Sequence, residues 1–64
     1  MMNGQIETFT VEYISDIKTI FFKKGERYEA FLPLDEQSGK VLGVIDRDGE
    51  IHGLPGGRFR RINP

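Results

Sequence analysis

The sequence predicts an all-β fold: one small barrel of five strands, with allowance for a short helix or 3-10 turn. Three observations carry this. Apolar and polar side chains alternate in Thr8 to Ile14 and again in Glu26 to Leu32, the period of half-buried strands. Asp48-Gly49 lies between two apolar segments, and such a pair suits a tight hairpin because glycine accepts positive φ at little cost. Leu54-Pro55-Gly56-Gly57 then interrupts the chain before a last segment led by Phe59, since proline donates no backbone hydrogen and paired glycines bend freely. A hairpin, a sharp break and a final aromatic-led strand would finish a small closed barrel.

In the first strand, Phe9, Val11 and Tyr13 share one face, and Thr10 and Glu12 the other. Ser15 to Gly25 admits two readings. Ser15 could cap a helix with Asp16 in its first turn, Ile17, Ile20, Phe21 and Lys24 at helical spacing, and Gly25 at its end. The other reading is a long, irregular, extended arm, which suits the β-branched and aromatic content of Ile17, Thr19, Ile20, Phe21 and Phe22. A helix of about nine residues is marginal without packing, so the extended arm is preferred. The second strand, Glu26 to Leu32, sets Tyr28, Ala30 and Leu32 against Arg27, Glu29 and Phe31. Pro33 to Gly39 is a polar loop opened by a strand-breaker. Lys40 to Ile45, Glu50 to Leu54 and Phe59 to Ile62 complete the strands. Phe9, Tyr28 and Phe59 are expected in the core.

Two registers compete in the last hairpin. A two-residue Asp48-Gly49 turn sets Arg47 opposite Glu50, a favourable charge pair, and Ile51 opposite Asp46. A longer loop from Asp46 to Gly49 pairs Val44 with Ile51 and buries both. The longer loop has the better core logic and is preferred.

Sixty-four residues make a single domain, 1–64. A chain this short buries only about 60% of the surface its unfolded form exposes. With no cysteine there is neither a disulfide nor a thiolate metal site. No apolar run approaches the ~18 residues of a membrane span, and the N-terminal stretch lacks the features of a secretion signal. The expectation is a cytosolic protein without membrane contact. Nine basic residues oppose ten acidic ones, so no global charge draws it to nucleic acid. The distribution is uneven: Glu7, Glu12 and Asp16 precede Lys18, whereas Arg58, Arg60 and Arg61 close the chain with no acid after Glu50. These acidic and basic ends would pair in a barrel.

Little in the sequence supports catalysis. His52 is the only histidine, with Asp46, Asp48 and Glu50 near it; a lone strand histidine at a barrel rim is its plain reading. The acids of residues 46–50 are too crowded for a calcium loop, and a hairpin turn accounts for them. Gly53, Gly56 and Gly57 form no phosphate loop. Ser15 and Ser38 have no base partner. No catalytic residue, cofactor or metal is expected.

The aromatics are more telling. Five Phe and two Tyr exceed what so small a barrel hides. Strand phase sends Phe31 outward, and the neighbours Phe21 and Phe22 cannot both point inward from an extended arm. An exposed aromatic patch follows, and such patches mark contact surfaces. The plainer reading folds the arm over Phe31 and buries everything. Lys23, Lys24, Arg58, Arg60 and Arg61 form a basic set that could bind phosphates beside stacking rings. A merely solvated face is the plainer account of these charges.

The pattern Phe22 to Phe31, then Gly43 to Glu50, then Leu54 to Phe59 resembles small Src-homology-3-like barrel proteins of phages and prophages from low-GC Gram-positive bacteria. In that group a Lys-Gly-x-x-Tyr step leads into the second strand, Asp-x-Gly-Glu turns the distal hairpin, and Pro-x-x-x-Phe closes the barrel. The resemblance runs from Val11 onward and implies a fold, not an activity. Proline-binding members of the wider fold carry an Ala-Leu-Tyr-Asp-Tyr motif and a groove tryptophan. This chain has neither, which argues against polyproline recognition.

The expected function is a non-catalytic interaction module of phage or prophage type that binds a protein. Phe21, Phe22 and Phe31 are expected to line its contact site, with Lys23, Lys24 and Arg60 as a charged rim. The alternative is a nucleic-acid-binding barrel using Lys23, Lys24 and the C-terminal arginines. A third reading is self-association through an exposed strand edge.

Overall fold

The computed structural model describes residues 7–62. Five strands follow one another, β1 (Phe9–Tyr13), β2 (Arg27–Phe31), β3 (Val41–Ile45), β4 (Ile51–Pro55) and β5 (Phe59–Arg61), with a 3-10 turn at Gly56–Arg58 before the last. They form one antiparallel sheet, ordered β4-β3-β2-β1-β5 and curled into a half-barrel. The expected closed barrel is thus open between β4 and β5 among the described residues. Pro55, which has no N–H to give a ladder, ends β4, and the 3-10 turn carries the chain to the opposite edge. The N–H of Gly56 donates to the Lys40 carbonyl at 2.8 Å and that of Ile14 to the Arg58 carbonyl at 2.9 Å, which holds the turn in place. The acidic and basic chain ends meet as foreseen: Arg60 lies opposite Glu12, with Nη2 2.6 Å from Oε1.

Alternation selects the core. Val11, Tyr13, Tyr28, Ala30, Leu42, Val44 and Phe59 are buried from the strands, and Phe22 joins them from the arm. Phe9 departs from expectation. It is only half-buried at the rim of the sheet, where the Arg61 guanidinium sits 4.0 Å from its ring centroid. That geometry is a cation–π contact.

Neither proposed hairpin register forms. Ile45 lies opposite Ile51 and Val44 opposite His52. The Asp46 N–H donates to the Glu50 carbonyl at 2.9 Å, the Gly49 N–H donates to the Asp46 carbonyl at 3.0 Å, and Gly49 has φ 88°. This is a three-residue loop with a left-handed glycine. The cause is the Asp46 side chain, whose Oδ1 accepts the N–H groups of Asp48 and Glu50, each at 2.9 Å. Aspartate that bonds the backbone two residues on fixes where a turn starts. Ile51 consequently faces outward, 64% exposed.

No helix forms over residues 15–25. Ser15 Oγ accepts the Ile17 N–H at 3.0 Å and Thr19 Oγ1 accepts the Phe21 N–H at 2.9 Å. Such local bonds offer the backbone an alternative to the helical ladder. The segment is an extended arm between β1 and β2.

Candidate functional site

Two core tyrosines pin the arm. Tyr13 Oη donates to the Ile17 carbonyl at 2.6 Å, and the Lys23 N–H donates to Tyr28 Oη at 2.9 Å. Both rings are buried, so their hydroxyls act as polar handles reaching out of the core. Between the pinned legs Phe22 turns inward. Its ring stacks on Tyr13 at 5.9 Å and meets Tyr28 and Phe59 edge-on at 4.9 and 5.8 Å. Phe21, one residue earlier, turns the other way and packs on His52 with ring centroids 4.4 Å apart.

His52 is the link between arm and hairpin. Its Nε2 lies 2.7 Å from Asp46 Oδ2, and Phe22 packs on it edge-on at 5.2 Å. The His52 bond holds the Asp46 carboxyl below its ordinary value, helped by the Glu50 and Asp48 amides and opposed by burial. The carboxylate that sets the turn therefore also orients the ring on which the arm rests.

The arm exposes apolar side chains among its charged ones. Ile14 is 41% exposed, Ile17 52%, Ile20 93% and Phe21 44%. A pocket of about 360 Å³ opens between the legs, with Ile17, Lys18 and Thr19 on one side and Phe22, Lys23 and Lys24 on the other. Lys24 Nζ spans the legs to Asp16 Oδ1 at 2.5 Å. That ion pair lowers the Asp16 carboxyl below its usual range.

The structure brings together Phe21, Phe22, Lys23 and Lys24 but not Phe31 or Arg60. Phe22 requires correction as an exposed contact residue: it is 3% exposed and serves as the inner wall of the pocket. Phe31 also requires correction as a neighbour of the arm. It pairs with Gly43, whereas Ala30, Val44 and His52 occupy successive positions facing the core. Phe31 and the His52 platform thus lie on opposite faces of the sheet, and the Phe31 ring covers Gly43 closely enough that a Cβ there would overlap it. Arg60 is occupied by Glu12 on β1. Arg61 caps Phe9 and Lys24 holds Asp16, so the basic set is dispersed among separate partners.

Sequence reasoning named Asp46 and His52 but missed their pairing, and it did not foresee the exposure of Ile14 and Ile17. A signal existed for the pairing, because Asp46 and His52 fall on one face once the three-residue loop is assumed. The tyrosine clamps had no comparable signal, since they depend on the path of the arm. Among the described residues no group of three or more His, Cys, Asp or Glu converges as a metal site, and no helix is long and apolar enough to cross a membrane. Comparison with protein-family models, with curated proteins and with solved structures finds no match.

Proposed function

We propose that the chain is a small non-catalytic interaction module, of phage or prophage type, that binds a protein through the outer side of its arm. Its half-barrel is read as Src-homology-3-like. The sheet order, the long arm between β1 and β2, and the 3-10 turn before β5 support that reading, as does the resemblance of the Lys-Gly-x-x-Tyr and Pro-x-x-x-Phe steps. The cysteine-free composition supports action in a reducing cytosol.

One observation carries the functional reading. Ile14, Ile17, Ile20 and Phe21 expose apolar surface from a single segment that is pinned at both legs. Connections of this kind carry function when a rigid scaffold positions them, and apolar side chains left exposed together on one connection suit an interaction site. The nucleic-acid alternative is weakened by the pairing of Lys24 with Asp16 and of Arg60 with Glu12. The test is capture of a partner by the immobilised protein, followed by Ile20→Ser and Phe21→Ser. Both variants should fold and lose the partner. Capture unaffected by either substitution would sink this reading, and capture that weakens steeply with salt would favour nucleic acid.

A further inference from the structure

We infer that the pocket between the legs of the arm receives a large apolar side chain of the partner, presented between carboxylates. This rests on the interaction-module reading and names the partner chemistry that reading leaves open. Three features of the pocket point to it.

The first is shape. A volume of about 360 Å³ lies at the small end of the ~300–1,000 Å³ typical of binding clefts. It suits an aromatic or aliphatic side chain. Phe22 and Ile17 supply apolar walls, and Ile17 retains 52% of its surface for a visitor.

The second is rigidity. The Ile17 carbonyl is held by Tyr13 and the Lys23 amide by Tyr28. One backbone point on each leg is therefore fixed before a partner arrives, and such preorganisation removes part of the ordering cost of binding.

The third is charge. Lys18, Lys23 and Lys24 line the pocket with Asp16 as the one acid. Asp16 is engaged by Lys24. Lys18 and Lys23 have no ion-pair partner among the described residues. Two exposed ammonium groups beside an apolar cavity complement an acidic segment and repel a basic one, fixing orientation and on-rate.

The probe is the acetylated, amidated hexapeptide Asp-Glu-Phe-Leu-Glu-Asp, titrated into the labelled protein and followed by amide shifts. The controls are Lys-Lys-Phe-Leu-Lys-Lys, Asp-Glu-Gly-Ser-Glu-Asp and an oligothymidylate. The expected result is shifts concentrated in residues 15–24 with the first peptide alone. Lys18→Glu/Lys23→Glu should weaken binding by about tenfold or more, each tenfold being 1.4 kcal/mol. Lys18→Arg/Lys23→Arg should retain it, and Ile17→Ser should weaken it with the fold intact. Equal binding of the basic or the apolar-free peptide overturns the inference, as does shifting confined to other residues. So does the absence of shifts at about 1 mM peptide, where a Kd of ~1 mM would half-fill the site. Tighter binding of the oligothymidylate overturns it in favour of a phosphate backbone. If partner capture needs Ile20 and Phe21 but survives Lys18→Glu/Lys23→Glu, the pocket fails and the module reading stands. If capture ignores Ile20 and Phe21, the module reading itself fails.

Discussion

Gly49 and Gly53 lie four residues apart in one hairpin, yet the same added methyl group should act oppositely on them. Gly49 has φ 88°, a conformation that side chains resist, whereas a Cβ on Gly53 would meet nothing within 4 Å. Gly49→Ala should therefore cost about 1 kcal/mol or more. Gly53→Ala should stabilise by up to ~1 kcal/mol, because glycine weakens a strand interior. Thermal melts of the two variants check this, and shifts of the same sign would contradict the hairpin geometry. The left-handed glycine was legible from Asp48-Gly49 alone. The role of Asp46 was not, since its burial depends on the register that its own side chain selects. Its acid dependence follows from the depressed carboxyl: the folded pKa lies below the unfolded value, so its stabilisation is full above about pH 4 and is lost as pH falls further. Asp46→Asn should be less stable than the parent at pH 7, and the gap should narrow below about pH 4. Urea midpoints measured down to pH 2 would show it, and a gap constant with pH would remove the carboxylate from the account.

At the scale of elements, β1 and β2 were readable because alternation over five residues fixes both the type of structure and the buried face. The arm was readable as an extended connection, from its β-branched and aromatic content and the marginality of so short a helix, but its route was not. Its route depends on two hydroxyls that meet backbone atoms four and five residues away, which periodicity does not encode. The hairpin register was misjudged because Ile51 was assumed to need burial. In fact β4 is an edge strand on which His52, not Ile51, faces the core side. If the tyrosine hydroxyls hold the arm, Tyr13→Phe should keep the sheet and loosen the leg around Ile17. The lost bond is worth about 0.5–1.5 kcal/mol. Amide exchange should quicken through residues 15–19 while β2 and β3 stay protected. Uniform acceleration across the sheet would mean that the hydroxyl supports the whole fold instead.

The whole molecule has a very small reserve. At the usual ~0.05–0.15 kcal/mol per residue, a chain of 64 residues has a few kcal/mol in hand. Its half-barrel leaves one side of the core uncovered by hydrogen-bonded strands, and the arm fills that gap with Phe22. This one ring touches rings of β1, β2, β4 and β5, namely Tyr13, Tyr28, His52 and Phe59. Phe22 therefore couples the arm to nearly every strand, and an element that looks like a loop is part of the core. Its neighbour Phe21 rests on His52 alone among the aromatic rings and keeps 44% of its surface exposed. Two adjacent phenylalanines thus differ in burial: Phe22 lies in the core and Phe21 stays partly exposed over the same His52 ring. Phe22→Ala should cost about 3–5 kcal/mol, enough to consume the reserve, and should leave a chain with a collapsed amide spectrum. Phe21→Ala should keep the dispersed spectrum and lose only a fraction of that stability. A single pair of heteronuclear spectra separates the cases. If Phe22→Ala stays folded, the arm is an accessory draped on a self-sufficient sheet; if Phe21→Ala unfolds, the exposed side of the arm is structural and the contact surface lies elsewhere.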